Sequence, residues 1–240
     1  RGDLRKPAPC NSPTNGRPGP QTGHDRRLIR RKEFALADKA LERYYRFHSK
    51  IYDMTRWSFL FGRREIVQRA AASRPDARQI LEVGCGTGRN LRRLARLFPE
   101  AHLTGLDLSA DMLAVAARKL GAYKDRITLI RKPYGEKFTP AEPPDIILFS
   151  YTLSMINPGW ERCIGCAKKD LADKGVIAVT DFSDTNIEIF RRWMSMNHVQ
   201  VRGHLLPELR KQFSPLESGE IRAYGGTWSY MHFIGEKNTA

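Results

Sequence analysis

The chain has 240 residues, 41% of them hydrophobic and 28% charged, with 19 Gly and 14 Pro, enough to build one α/β domain around a sizeable core. Its longest apolar runs, at 146–149 and 176–179, fall far short of the roughly 20 residues a membrane-spanning helix needs, which excludes an integral helical membrane protein. With 41 Lys and Arg against 26 Asp and Glu, the formal net charge is +15, so an anionic partner, either a membrane surface or a nucleic acid, is expected.

Residues 1–25 form a Pro/Gly/Ser/Asn-rich stretch with no apolar period, Arg26, Arg27, Arg30, Arg31 and Lys32 add charge where helical propensity begins, and residues 1–33, with nine cations against three carboxylates, are read as a disordered basic arm. Residues 34–72 follow as an N-terminal helical segment. Leu41, Tyr44, His48, Ile51, Tyr52 and Thr55 recur by threes and fours on one helical face, and Gly62 interrupts the pattern behind an aromatic hinge from Trp57 to Phe61. From residue 73 to 240 short apolar runs alternate with amphipathic stretches. Strands are predicted at 79–83, 102–106, 127–130, 145–151 and 175–182, with helices at 90–98, 110–120 and 160–171 between them. This alternation predicts an α/β fold of the Rossmann-like, doubly wound kind, mostly parallel with helices on both faces. Residues 220–237, with Tyr224-Gly-Gly-Thr227 between alternating residues, predict an antiparallel hairpin closing the sheet.

The four cysteines are Cys10, Cys85, Cys163 and Cys166, with no apolar signal segment ahead of them, so the cytoplasm is the expected compartment. Cys163-Ile-Gly-Cys166 has metal or redox spacing, but no second pair or nearby histidine accompanies it and the stretch reads as a helix; packing is expected there, and no metal.

Leu81-Glu82-Val-Gly84-Cys-Gly86-Thr-Gly88 ends one predicted strand and opens a helix. Three glycines at this spacing allow a tight turn and close approach of the backbone to a ligand. The spacing is neither that of a dinucleotide fingerprint nor of a phosphate loop. Asp107, at the end of the next strand, supplies a carboxylate placed to accept hydrogen bonds from both hydroxyls of an adenosine ribose. Together with Gly105-Leu-Asp107-Leu108-Ser-Ala-Asp-Met112, this run resembles the class I S-adenosylmethionine-dependent methyltransferases. The resemblance implies S-adenosylmethionine as methyl donor, Gly84, Gly86 and Gly88 along its methionine part, and Asp107 on the ribose. It also implies Met112 near the adenine, Leu108 among the cofactor-binding residues and Glu82 directed indirectly toward the amino group. After the third strand the chain departs from the family pattern of an acidic residue followed by Ala, reading Arg131-Lys-Pro-Tyr134-Gly-Glu136. Tyr134 and Glu136 are the candidates for the adenine contact, with plain loop residues as the alternative.

Residues 46–63, which include Tyr52, Arg56, Trp57 and Phe61, resemble the corresponding segment of bacterial lipid-headgroup N-methyltransferases. The match is strongest to those that trimethylate diacylglycerylhomoserine to a betaine lipid. Residues 149–156 and 180–182 and the region of His198 are similar to the same group. The resemblance covers roughly residues 40–236 and implies a lipid amine substrate at an anionic membrane, with a peripheral, membrane-associated enzyme; the related phosphatidylethanolamine N-methyltransferases are the nearest alternative. Strand ends deliver their last residues to the ligand crevice of a parallel sheet, so Ser150 is expected beside the cofactor and Tyr151 and Asp181 at the reacting centre. Tyr52, Trp57 and Tyr151 are candidates for an aromatic environment around the amine, while Arg56, His198 and His204 are candidates for the headgroup. Ordinary packing or capping roles stand beside each of these. An RNA methyltransferase would also suit the charge. However, no Asn-Pro-Pro-Tyr-type strand end, RNA-binding appendage or Pro-Cys nucleophile is present, so nucleic acid is not favoured. A cofactor-binding scaffold without chemistry is a further reading that the intact glycines and Asp107 argue against.

Overall fold

The computed structural model describes residues 60–135, 138, 140–196 and 199–237. Its centre is one seven-stranded sheet: β1 (Gln79–Val83), β2 (His102–Leu106), β3 (Ile127–Ile130), β4 (Ile146–Ser150), β5 (Val176–Phe182), β6 (Phe213–Ala223) and β7 (Trp228–Lys237), in the order β3-β2-β1-β4-β5-β7-β6. The first five strands are parallel. β7 runs antiparallel to β5, and β6 antiparallel to β7. The expected mostly parallel sheet with its closing hairpin is therefore present. Order reverses between β1 and β4, and in open α/β sheets ligands bind at such a switch point, outside the carboxyl ends of the strands.

β4 and β5 are buried along their whole length, as apolar strands covered on both faces must be. One face carries α1 (Arg63–Ser73), α2 (Arg89–Leu97) and α3 (Ala110–Lys119). Ile66, Val67, Leu91, Leu94 and Ala116 pack there with Ile80, Ile146, Leu148 and Ile234. On the other, α4 (Trp160–Asp170) and α6 (Leu205–Gln212) bring Ile164, Ala167, Leu206 and Leu209 onto Leu81, Ile147, Phe149, Val179 and Phe233. Alternate residues of each strand feed the two cores, which is the period-two geometry of a pleated strand.

Gly62 precedes α1 at φ 72°, where the sequence predicts an interruption, and α1 belongs to the same core as the sheet. β6 starts at Phe213, ahead of the predicted hairpin, and passes Pro215 through a register shift between Pro215 and Glu217. An edge strand accommodates this because proline's missing N–H faces no neighbour there. α5 (Glu188–Met196) and α6 are additions to the predicted elements.

Candidate functional site

The glycine turn after β1 is shaped by two close approaches and one opening. Gly84, at φ 71°, has no room for a Cβ, which would lie 2.5 Å from Thr152 Oγ1. A Cβ on Gly88, at φ 74°, would lie 2.7 Å from Leu120 Cδ1. Gly86, at φ 52°, faces open space, with nothing within 4 Å of its Cβ position. Backbone amides tie this turn to the end of β2: Gly86 N–H donates to Asp107 Oδ2 at 2.8 Å, Ser109 N–H donates to Oδ1 at 2.9 Å, and Cys85 N–H donates to Leu106 O at 2.8 Å. The two amides fix the Asp107 carboxylate at the open side of the turn, and a carboxylate offers about four acceptor positions. Ser109 also caps α3, accepting from Met112 N–H at 3.3 Å, and Met112 is buried. The Leu108 carbonyl accepts from Arg131 Nε at 3.0 Å.

Beneath the turn, Glu82 is fully buried. Asn90 Nδ2 donates to its Oε1 at 2.9 Å, whereas its buried Oε2 has no hydrogen-bond partner. Burial pushes the carboxyl up to about 7, opposed by the Asn90 hydrogen bond, the charge of Arg63 and a hydrogen bond from the Leu91 backbone. A buried carboxylate with one oxygen unmatched is built to receive a donor.

The second half of the site lies at the carboxyl ends of β4 and β5. Thr152 Oγ1 donates to Val83 O at 3.1 Å, joining the end of β4 to the glycine turn. Ser150 is buried and its Oγ has no partner. Tyr151 stands at φ 56°. Its ring meets Phe182 edge-on at 4.7 Å between centroids, and its hydroxyl donates to the Phe61 carbonyl at 2.9 Å. Burial, and secondarily the Asp181 charge, raises the Tyr151 hydroxyl far above the usual phenol range. Phe182 packs on Trp228 at 5.2 Å, and Phe61 lies 6.0 Å from Trp228 and 6.2 Å from a stacked Tyr230. The result is an aromatic cluster that also buries Met194, Val199 and Val201.

Three expectations change at these positions. Asp181 is fully buried, and both of its oxygens are held by backbone amides, Oδ2 by Ser154 N–H at 3.1 Å and Oδ1 by Phe182 N–H at 2.8 Å. Burial raises it to about 6. It fastens the turn Leu153–Met155 under Tyr151 and does not project into the crevice. Tyr151 has its hydroxyl committed to a carbonyl, so it positions the lead-in to α1. Tyr134 turns into the second core against Phe149 at 5.9 Å, and its hydroxyl donates to Asp170 Oδ2, at the far end of α4, at 2.8 Å. Its ring is thus withdrawn from the carboxyl edge because burial on Phe149 and a carboxylate partner are both available below. His204 sits before α6 with its ring edge-on to Trp160 at 4.7 Å. Both ring nitrogens are buried without partners, and burial lowers its pKa. Tyr52, Arg56, Trp57, Glu136 and His198 lie outside the described residues. Sequence reading missed Asn90, Thr152, Phe182 and Trp228. Glu82 behind the glycine turn called for a donor in the first turn of α2, which was a usable signal for Asn90; the aromatic residues offered none.

Residues 80–175 match the family model described as a methyltransferase domain. Among curated relatives, malonyl-[acyl-carrier protein] O-methyltransferase of Bacillus cytotoxicus is 30% identical over 122 residues, covering 50% of this chain and 41% of that protein. Trans-aconitate 2-methyltransferase of Streptomyces avermitilis is 35% identical over 105 residues, covering 43% of this chain and 38% of that protein. The chain thus spans about two fifths of the length of these relatives. Among solved structures, the N-methyltransferase NodS of Bradyrhizobium japonicum with S-adenosyl-L-homocysteine aligns at TM-score 0.60 and 19% identity, over 75% of this chain and 88% of that one. The 1,6-didemethyltoxoflavin-N1-methyltransferase of Burkholderia thailandensis aligns at TM-score 0.62 and 15% identity, over 97% of this chain and 95% of that one.

The residues present fit S-adenosylmethionine. The opening at Gly86 would admit the ligand against backbone, Asp107, held by two amides beside it, would take the ribose diol, and Glu82 Oε2, which lacks a partner, would serve as counter-charge to the amino group. The seven-stranded sheet shares its fold with solved methyltransferases such as NodS, and residues 80–175 within it match the methyltransferase-domain model.

Proposed function

We propose that this protein is an S-adenosylmethionine-dependent N-methyltransferase acting on a lipid headgroup amine, with diacylglycerylhomoserine as the first candidate and phosphatidylethanolamine as the second. One observation carries the reading: the cluster of Phe61, Tyr151, Phe182, Trp228 and Tyr230 stands at the carboxyl ends of β4 and β5, and Thr152 couples it to the cofactor turn. The similarity of residues 46–63 to lipid N-methyltransferases supports the same acceptor.

When bound, the cofactor supplies an electrophilic methyl group on a sulfonium. The protein's task is to hold a neutral nitrogen about 3–3.5 Å from that carbon, in line with the breaking bond. An amine with a pKa near 10 must shed its proton first, and the apolar aromatic surroundings favour the uncharged form. As methyl groups accumulate, the quaternary ammonium is attracted to aromatic faces by about 0.5–2 kcal/mol. Asp181 and Tyr151 act as positioning residues, holding the turn after β4 and the Phe61 backbone so that the cluster keeps its shape.

The test is incubation of the full chain with labelled S-adenosylmethionine and separate acceptors, followed by mass spectrometry. The acceptors are diacylglycerylhomoserine, phosphatidylethanolamine, trans-aconitate, malonyl-[acyl-carrier protein] and RNA. The expected product is a lipid whose mass rises in one-methyl steps to a trimethylated headgroup. Label confined to trans-aconitate, malonyl-[acyl-carrier protein] or RNA would overturn the amine acceptor.

A further inference from the structure

The carboxyl edge of the sheet exposes large apolar side chains that a water-facing surface does not need. On α5, Ile189 is 82% exposed and Met196 73% exposed. They lie seven residues apart and so on one side of the helix, while Met194 on the other side is buried in the aromatic cluster. Ile187, Phe61 and Tyr224 are exposed as well. These positions adjoin one another through defined contacts. Phe61 meets Tyr224 at 5.6 Å, and Thr185, which receives the Ile187 N–H at 3.2 Å, donates from its Oγ1 to Thr227 O at 2.6 Å in the hairpin turn. Ser229 N–H also donates to Asp184 O at 2.8 Å. The start of α5 and the tip of the β6–β7 hairpin are therefore one surface, beside the aromatic cluster.

Positive charge stands at the same edge. Arg64, at the start of α1, and Arg89 and Arg92, in the first turn of α2, are exposed. They lie near enough to Arg93 that, after burial, their charges are the next causes depressing its pKa, three cations against the one opposing carboxylate of Glu65. Like charges gathered in this way are stabilised by an anionic surface, and the chain as a whole carries +15. Exposed apolar groups beside basic ones make up the pattern of a peripheral bilayer surface, where burial and headgroup attraction act together.

We propose that the carboxyl edge of the sheet is a docking surface for an anionic lipid bilayer: Ile187, Ile189 and Met196 enter the acyl boundary, and the arginines at the starts of α1 and α2 meet the headgroup charge. Docked in this way, the exposed Phe61 edge of the aromatic cluster faces the lipid plane, and an amine headgroup reaches it without the lipid leaving the membrane. The inference rests on the lipid reading of the acceptor and specifies how that acceptor is delivered.

The experiment is sedimentation of the full chain with vesicles of phosphatidylcholine alone and of phosphatidylcholine mixed with phosphatidylglycerol, neither of which offers a methylatable amine. The wild type should bind the mixed vesicles at least tenfold more tightly than the neutral ones. Ile189→Ser/Met196→Ser, two exposed positions outside the aromatic cluster, should weaken that binding at least tenfold at every salt concentration, with turnover on detergent-dispersed lipid unchanged. Arg92→Glu should weaken it at low salt and match the wild type near 1 M salt, where the screening length is about 3 Å. Wild-type protein that binds neither vesicle, or variants that bind as the wild type does, would overturn the docking surface. Docking with this pattern by a protein that methylates no lipid amine would contradict the acceptor reading and leave the surface standing.

Discussion

The two halves of the site are built on different principles. The cofactor half is local: Glu82, the three glycines, Asn90 and Asp107 occupy two neighbouring strand ends and the helix between them. It is held by short polar bonds, including Gly86 and Ser109 on Asp107 and Asn90 on Glu82. The proposed acceptor half is assembled from four separated stretches, those of Phe61, Tyr151, Phe182 and Trp228, joined mainly by ring packing. A polar constellation fixed by backbone amides resists change at its neighbours. A packed aromatic cluster shares its stability among all members, and this is the half in which a methyltransferase fold can alter its acceptor without disturbing its donor.

The comparison is broken most severely at Trp228, which is 1% exposed at the centre of the cluster. Trp228→Ala should cost about 3–5 kcal/mol of stability, as truncation of a large buried aromatic does, seen as a lowered urea midpoint. The protein that remains folded should bind S-adenosylmethionine with wild-type affinity. Parallel loss of cofactor affinity in the folded fraction would show that the halves are not separate.

The polar half is probed by pH. Because burial raises Glu82 from an ordinary 4.5 to about 7, the folded state holds a proton that the unfolded chain has lost across that interval. Its contribution to stability is therefore fully present below pH 4.5 and lost as pH rises through 7, about 3 kcal/mol in all. Glu82→Gln should remove this decline, so the variant gains on the wild type between pH 5 and pH 8 when urea midpoints are compared. In the cofactor-bound state the order should reverse: ionised Glu82 faces an amino group, so wild-type affinity rises toward pH 8 more steeply than that of the variant. Identical pH dependence in the two proteins would contradict the burial of this carboxyl.

A finer distinction is available at Tyr151. Tyr151→Phe keeps the ring against Phe182 and deletes the hydroxyl's hydrogen bonds, to the Phe61 carbonyl and with Thr180, each worth about 1 kcal/mol. Turnover should fall less than tenfold and its pH profile should keep its shape. A lost alkaline limb would make the hydroxyl a proton carrier and move it from a positioning to a catalytic role.

The same contrast governs what was legible in the sequence. The glycine turn and Asp107 could be read because close backbone approach and a strand-end carboxylate leave residue types at fixed short spacings, and β1 to β5 because apolar runs buried on both faces stand out between turns. α5 escaped because its apolar positions at Ile189 and Met196 face outward while Met194 faces inward, so no single stripe appears. α6 was hidden by Pro207, which reads as a breaker yet falls in the first turn of the helix, where a missing N–H costs little. β6 was obscured along its first residues by Pro215 and by exposure on an edge. Asp181 and Tyr134 look functional by position, but whether a carboxylate or phenol points into a crevice or into the core depends on partners such as Ser154 N–H and Asp170, which only the folded chain brings near.

The claim on which the rest stands is that Asp107 and the glycine turn hold S-adenosylmethionine, and calorimetric titration of the cofactor into the wild type and Asp107→Ala tests it most directly. Two charge-assisted hydrogen bonds to a ribose diol contribute roughly 1.5–3 kcal/mol each, so the account predicts measurable wild-type binding and at least a tenfold loss in the variant, with the fold intact by circular dichroism. Equal affinity in the two proteins, or no heat of binding in the wild type, would contradict it.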